Sequence, residues 1–132
     1  MMRGLAILAA LALGACASGT GGDCCMQKSS TGSLRHVVMF KFKDGAPADA
    51  IRSIEEKFRG LKSRVPKIVD FEWGTNVSPE KLDQGFTHCF FVTFPDVAAR
   101  DAYLVHPAHQ EFVALLRAHL DKAFVVDYVA RD

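Results

Sequence analysis

Residues able to move protons interrupt an apolar pattern at Tyr103-Leu104-Val105-His106-Pro107-Ala108-His109-Gln110-Glu111-Phe112. A phenol can donate to a carbonyl oxygen on which negative charge develops, and a neutral imidazole can take a proton near neutral pH. The residue before a proline is pushed out of the α region, and proline suits the first turn of a helix. One helix is therefore expected to end at His106 and another to start at Pro107. The bend would aim Tyr103 and His109 into one space. Proton transfer by such a pair needs no metal or cofactor, and none is expected. His109 would be the base and Tyr103 the donor, a pair that contributes about 10²–10⁴-fold through proton transfer. Each also has a plainer reading. Tyr103 can be a core tyrosine whose hydroxyl finds a backbone partner. His109 can satisfy a buried carbonyl.

The other histidines divide by position. His106 is expected to cap the end of the first helix, where partial positive charge is favourable. His36 and His88 fall on strand faces turned toward the helices, so each can join a pocket or sit in the core. His119 is a boundary residue. His106 and His109, spaced i,i+3 with Glu111 nearby, lack a second ligand motif, so no metal is expected. No phosphate-cradling glycine loop and no Gly-x-Ser-x-Gly elbow occurs.

The elements that must position these groups follow from periodicity. Arg35 to Lys43 reads as a strand, with His36, Val38, Phe40 and Phe42 on one face and Val37, Met39 and Lys41 on the other. Pro47 opens a helix to about Arg64, with Ile51, Ile54, Phe58 and Leu61 at helical spacing. Ile68 to Val77 is a second strand, and Gly74 in it marks a candidate bulge. Phe86 to Phe94 is a third. Asp96 is a candidate N-cap for a helix from Val97 to Val105. The next helix runs from Pro107 to about Asp121, with Phe112, Leu115, Leu116 and Leu120 inward. Phe124 to Val129 closes the domain as a fourth strand. The order β-α-β-β-α-β, with its second helix broken, is the ferredoxin-like arrangement of the α+β class. Helices cover one face of such a sheet. The other carries Val37, Met39 and Phe91, with Phe71 or Tyr128, and is too apolar to stay wet. A homodimer with sheets packed face to face is expected, forming a dimeric α/β barrel.

Three segments divide the 132 residues. Residues 1–15 read as a secretory signal: Met1-Met2-Arg3 is a positive start, Leu5 to Leu13 is apolar, and the run is too short to span a bilayer. Leu13-Gly14-Ala15-Cys16 resembles the bacterial lipoprotein signal, which implies lipidation of Cys16 and attachment to the lipid bilayer. Ala17 after it implies the outer membrane, facing the periplasm. Residues 16–33 form a Gly- and Ser-rich tether holding Cys24 and Cys25, for which a link between two chains, a metal contact and unpaired thiols all stay open. Residues 34–132 are the domain. Loss of residues 1–15 removes Arg3 from 16 bases and leaves fifteen against 15 acids, a net charge of zero. A neutral domain carries no footprint for nucleic acid and no polybasic patch for anionic lipid.

His36-Val-Val-Met-Phe-Lys-Phe-Lys43, Trp73-Gly74, Gly85-Phe-Thr-His88, His106-Pro-Ala-His109 and Val126 to Tyr128 occur in that order. Together they resemble the stress-responsive A/B barrel family, also called Dabb, across residues 34–132. The resemblance implies a dimeric α/β barrel of ferredoxin-like subunits. In a plant polyketide cyclase of that family a tyrosine and a histidine carry the reaction, and they match Tyr103 and His109. His36, Val38 and Phe40 match strand positions lining its pocket between sheet and helices. Phe58, His88, Phe90, Leu104 and Phe112 complete the expected ligand-contacting set. Phe58, Phe90 and Val113 stand where that enzyme has tyrosine, valine and glycine, which implies a smaller cavity. Three functions stay open: a membrane-tethered dimer binding a small apolar or aromatic ligand, a cofactor-free cyclase or lyase acting on a small carbonyl compound, and a structural envelope protein without a pocket.

Overall fold

The computed structural model describes residues 31–131. Cys16, the signal and most of the tether, with Cys24 and Cys25, lie outside the described residues. The elements are β1 (Leu34–Phe42), α1 (Ala48–Arg64), β2 (Asp70–Thr75), β3 (His88–Phe94), α2 (Val97–Leu104), α3 (Pro107–Arg117) and β4 (Leu120–Val129). The strands form one antiparallel sheet in the order β2-β3-β1-β4. This is the ferredoxin-like α+β fold. No helix among the described residues is long and apolar enough to cross a membrane.

Alternation in β1 sends Leu34, His36, Val38 and Phe40 to the helix side, where all four are buried. Cross-strand register places Val92 and Asp127 beside His36, and Phe90 and Val125 beside Val38. α1 lays Ile54, Phe58 and Leu61 on this surface, and α3 adds Phe112 and Leu116. The centre is aromatic. Phe58 lies 4.4 Å from Phe112 and 4.5 Å from Phe90 between ring centroids, and Phe40 lies 5.1 Å from Phe90. Such ring pairs add about 0.5–1.5 kcal/mol each beyond their buried area.

Local expectations change at the junction of α3 with β4 and at Gly74. α3 stops at Arg117 and β4 begins at Leu120, not Phe124. The backbone N–H of Lys43 donates to His119 O and the Lys43 ammonium to Ala118 O, so long-range pairing with the end of β1 overrides the helical period. Leu120 is then a strand residue packed on the core rather than a helical one. Gly74 makes no bulge, since β2 and β3 keep register from Asp70 to Thr75. The irregularity instead falls between Lys41 and Phe42, where β1 meets β4. Phe71 packs inward on Phe58, with ring centroids 5.1 Å apart, leaving Tyr128 on the other face.

That other face stays open. Val37, Met39 and Phe91 are partly exposed, and Phe124, Val126 and Tyr128 more so. Arg35 lies over the Phe91 ring, 5.5 Å from its centroid, and donates to Thr93 Oγ1. The edge strand β4 also leaves Val125 and Val129 about half exposed on its helix side, at 52% and 46%. An uncovered edge strand of ten residues, apolar at seven of them, invites another chain.

Candidate active site

The helix break forms as the His-Pro step dictates. His106 is extended, at φ −67° and ψ 136°, and Pro107 occupies the first turn of α3. The role of His106 differs from expectation. It caps the start of α3 rather than the end of α2, because its Nδ1 accepts the backbone N–H of Ala108. Asp96 caps α2 by accepting from Ala99 N–H at 2.7 Å.

The bend brings Tyr103 and His109 together, with ring centroids 4.3 Å apart. His36 joins from β1 at 5.8 Å from the Tyr103 ring, edge to face. Tyr103 is fully buried, and its hydroxyl has no hydrogen-bond partner among the described residues. The backbone partner that a core tyrosine would need is not supplied. Leaving such a group unpaired costs about 1–3 kcal/mol.

Both imidazoles have their tautomers set. His109 Nδ1 lies 3.0 Å from Leu104 O, and a carbonyl only accepts, so Nδ1 carries the hydrogen. His36 Nδ1 lies 2.5 Å from Asp127 Oδ1, and the carboxylate likewise accepts. In each neutral ring the Nε2 lone pair is left over. Asp127 in turn takes a hydrogen bond on its other oxygen from Arg100 of α2. The site therefore holds one unbonded phenol hydroxyl and, packed on the same ring, two imidazoles whose Nε2 atoms carry free lone pairs.

Burial sets the protonation states. It pulls His36 down to about 4, with the Arg100 charge adding to the effect. The Asp127 carboxylate alone would favour a charged ring, but it is shared with Arg100, and desolvation prevails. Burial also lowers His109 below its ordinary range, opposed by its bond to Leu104 O and helped by His36 and His106. The Tyr103 phenol is pushed well above its ordinary value by burial. At neutral pH all three groups are uncharged.

The remaining candidates separate into three places. Val38 packs with Phe40, Phe58, Phe90 and Phe112 in the apolar centre, and the Phe112 ring centroid lies 6.5 Å from that of His109. Their rings fill the space expected to be hollow. Leu104 is exposed and contributes only its carbonyl. His88 lies at the far end of the core, stacked near Trp73, with Nε2 on Glu55 and Nδ1 on Thr87. Both its nitrogens are satisfied, so it serves the core. Two cavities of about 560 and 480 Å³ open by Met39, Phe91 and Tyr128 on the sheet's other face. Neither is lined by Tyr103, His36 or His109. Among the described residues no group of three His, Cys, Asp or Glu is arranged to hold a metal ion.

Asp127 and Arg100 escaped the sequence reading. A lone acid in Phe124-Val125-Val126-Asp127-Tyr128-Val129, on the side shared with Val125, was a usable sign of a buried partner. Nothing in α2 marks Arg100 as reaching the sheet.

The His36 shift has a consequence for stability. Its folded value lies below the unfolded 6.5, so between pH 6.5 and about 4 the unfolded chain binds a proton that the native ring refuses. Unfolding free energy is expected to fall as pH drops through that window, by roughly 3 kcal/mol at most. Urea denaturation at pH 7, 5.5 and 4 measures it against His36→Gln, whose profile should lack that component. Parallel profiles for the two proteins would contradict the assignment.

The Stress Responsive A/B Barrel Domain model, Dabb, matches residues 34–130. The stress-response A/B barrel domain-containing protein HS1 of Arabidopsis thaliana is 37% identical over 76% of this chain and 93% of its own length. Olivetolic acid cyclase of Cannabis sativa is 29% identical over 75% of this chain and 98% of its own. Among solved structures, a dimeric ferredoxin-like protein of unknown function from Jannaschia sp. CCS1 is 33% identical, with a TM-score of 0.67. That alignment covers 75% of this chain and all of the other (100%). With its fold and its ordered motifs matched from β1 to the end of β4, the chain belongs to the stress-responsive A/B barrel family.

Proposed function

We propose that this is a membrane-tethered, dimeric A/B barrel protein whose site at Tyr103 takes a small apolar or aromatic compound bearing an acceptor oxygen. The unpartnered Tyr103 hydroxyl carries this reading. A buried donor with no partner is a standing cost that a ligand oxygen removes. The rings of Phe58, Phe90 and Phe112 pack at contact distance, so only a small ligand would fit beside them.

The fixed tautomers favour a second reading, cofactor-free proton transfer at a carbonyl compound, and the likeness to a cyclase supports it. The Nε2 of His109 takes a proton from carbon next to a carbonyl. The electron pair moves onto the carbonyl oxygen, where the Tyr103 O–H donates.

Dimerisation rests on the open sheet face and the exposed strand β4, and on the dimeric relative. Tethering rests on Leu13-Gly14-Ala15-Cys16, with the positive start and apolar run before it. We place the lipid on Cys16 and the protein at the outer membrane, facing the periplasm. Two lipid chains suffice for stable anchoring where one does not.

Phenol and ethyl acetoacetate test the ligand reading on the full chain. Both should raise the thermal midpoint of the wild type, and neither that of Tyr103→Phe. Removing an unpaired hydroxyl should leave the ligand-free variant as stable as the wild type, or about 1 kcal/mol more so. Deuterium entering the central methylene of ethyl acetoacetate above the buffer rate, and lost in His109→Ala, would select the enzyme. No midpoint shift with either probe would leave only a structural role.

Val126→Lys should turn the dimer into a monomer by analytical ultracentrifugation at micromolar concentration. A monomeric wild type would refute the assembly. Cys16→Ser should move the protein from the membrane to the soluble fraction of its bacterial host, and unchanged fractionation would refute the anchor.

A further inference from the structure

Asp127 has one oxygen on His36 Nδ1 and the other on Arg100. We infer that Asp127 and Arg100 are positioning residues, which hold His36 as a neutral ring with its proton on Nδ1 and make it a second proton acceptor at the Tyr103 site. The inference rests on the reading of that site as one that binds a ligand and moves protons.

The geometry leaves each member one task. β4 pairs with β1 in register, so Asp127 stands beside His36 on the helix side of the sheet. An Nδ1–H···carboxylate bond of 2.5 Å fixes the ring's rotation as well as its tautomer. A carboxylate facing a buried imidazole would ordinarily draw a proton onto it and leave no lone pair. Arg100 opposes that outcome. Its guanidinium reaches across from α2, satisfies the second carboxylate oxygen and supplies a positive charge. It is anchored by Nε to Asp101 at 2.8 Å. The Nε2 of His36 then makes no hydrogen bond to any other described residue. The other groups facing His36 are Tyr103 on α2, its neighbour Phe94 on β3, and His109 on α3, which interacts with it electrostatically.

The two imidazoles packed on the Tyr103 ring differ in access. His36 is buried, whereas His109 is partly exposed. In a proton-transfer cycle His109 can exchange its proton with water. His36 is better placed to keep a bound ligand's hydroxyl in the interior. Neither step needs an oxidant, a reductant or a metal. The proton leaves ligand carbon or oxygen for an imidazole Nε2, and it returns to product or solvent.

Long-range proton–nitrogen NMR of the full chain, labelled with nitrogen-15, reads the tautomer directly and requires no substrate. His36 should show a protonated Nδ1 and a bare Nε2 from pH 8 to 5. In Arg100→Gln the His36 titration should move up by about one pH unit or more, since an unopposed carboxylate now faces it. Arg100→Lys should restore part of the wild-type behaviour. In Asp127→Ala the single tautomer should give way to a mixture. Arg100 lies on the partly exposed side of α2, so Arg100→Gln keeps the test alive if Asp127→Ala unfolds. A His36 proton on Nε2, or a titration unchanged in Arg100→Gln, would overturn the inference. Failure of phenol and ethyl acetoacetate to bind while the tautomer holds would remove the ligand reading and leave the positioning role standing.

Discussion

A phenol hydroxyl sealed in a dry interior must find a partner or carry a cost, and this structure is arranged around one that has none. Tyr103 is fully buried, and its oxygen is unbonded among the described residues. The two imidazoles packed on its ring are each committed elsewhere through one nitrogen. His109 gives Nδ1 to Leu104 O, and His36 gives Nδ1 to Asp127. The fold keeps these groups apart by rigid means: a strand for His36, a helix end for Tyr103 and the next helix's first turn for His109. Proline at the junction breaks the helix and sets the bend between α2 and α3.

The same sheet that positions His36 also limits the site. Its helix side is filled by Phe40, Phe58, Phe90 and Phe112, whose rings pack at contact distances. A larger hollow would need smaller residues at Phe58 and Phe90. Asp127 sits on an edge strand whose apolar neighbours are half exposed. In the proposed dimer a second copy would dry that strand. The carboxylate would then see less water, and its bonds to His36 and Arg100 would strengthen.

Element order, both sheet faces and the His-Pro break were legible because alternation and proline act locally. The approach of Tyr103 to His109 was legible for the same reason. The end of α3 was not, since bonds from Lys43 of β1 to Ala118 and His119 decide it. The bulge at Lys41 and Phe42 is likewise a property of two strands distant in sequence. His106 was misread because a histidine can accept at a helix start as readily as it can donate at a helix end. Leu104 was grouped with the site by adjacency, but the last turn of α2 points it to solvent. The Asp127–Arg100 couple depends on contact between an edge strand and a helix separated by 27 residues, which periodicity does not encode.

The central claim is that the Tyr103 oxygen waits for an acceptor carried by a ligand. A crystal structure of the full chain, grown with and without phenol, tests it most directly. The account predicts a bare Tyr103 oxygen in the free crystal and a phenol oxygen within hydrogen-bond distance of it in the other. A Tyr103 oxygen already bonded to a protein group in the free crystal, with no phenol beside it in the soaked one, would contradict the account.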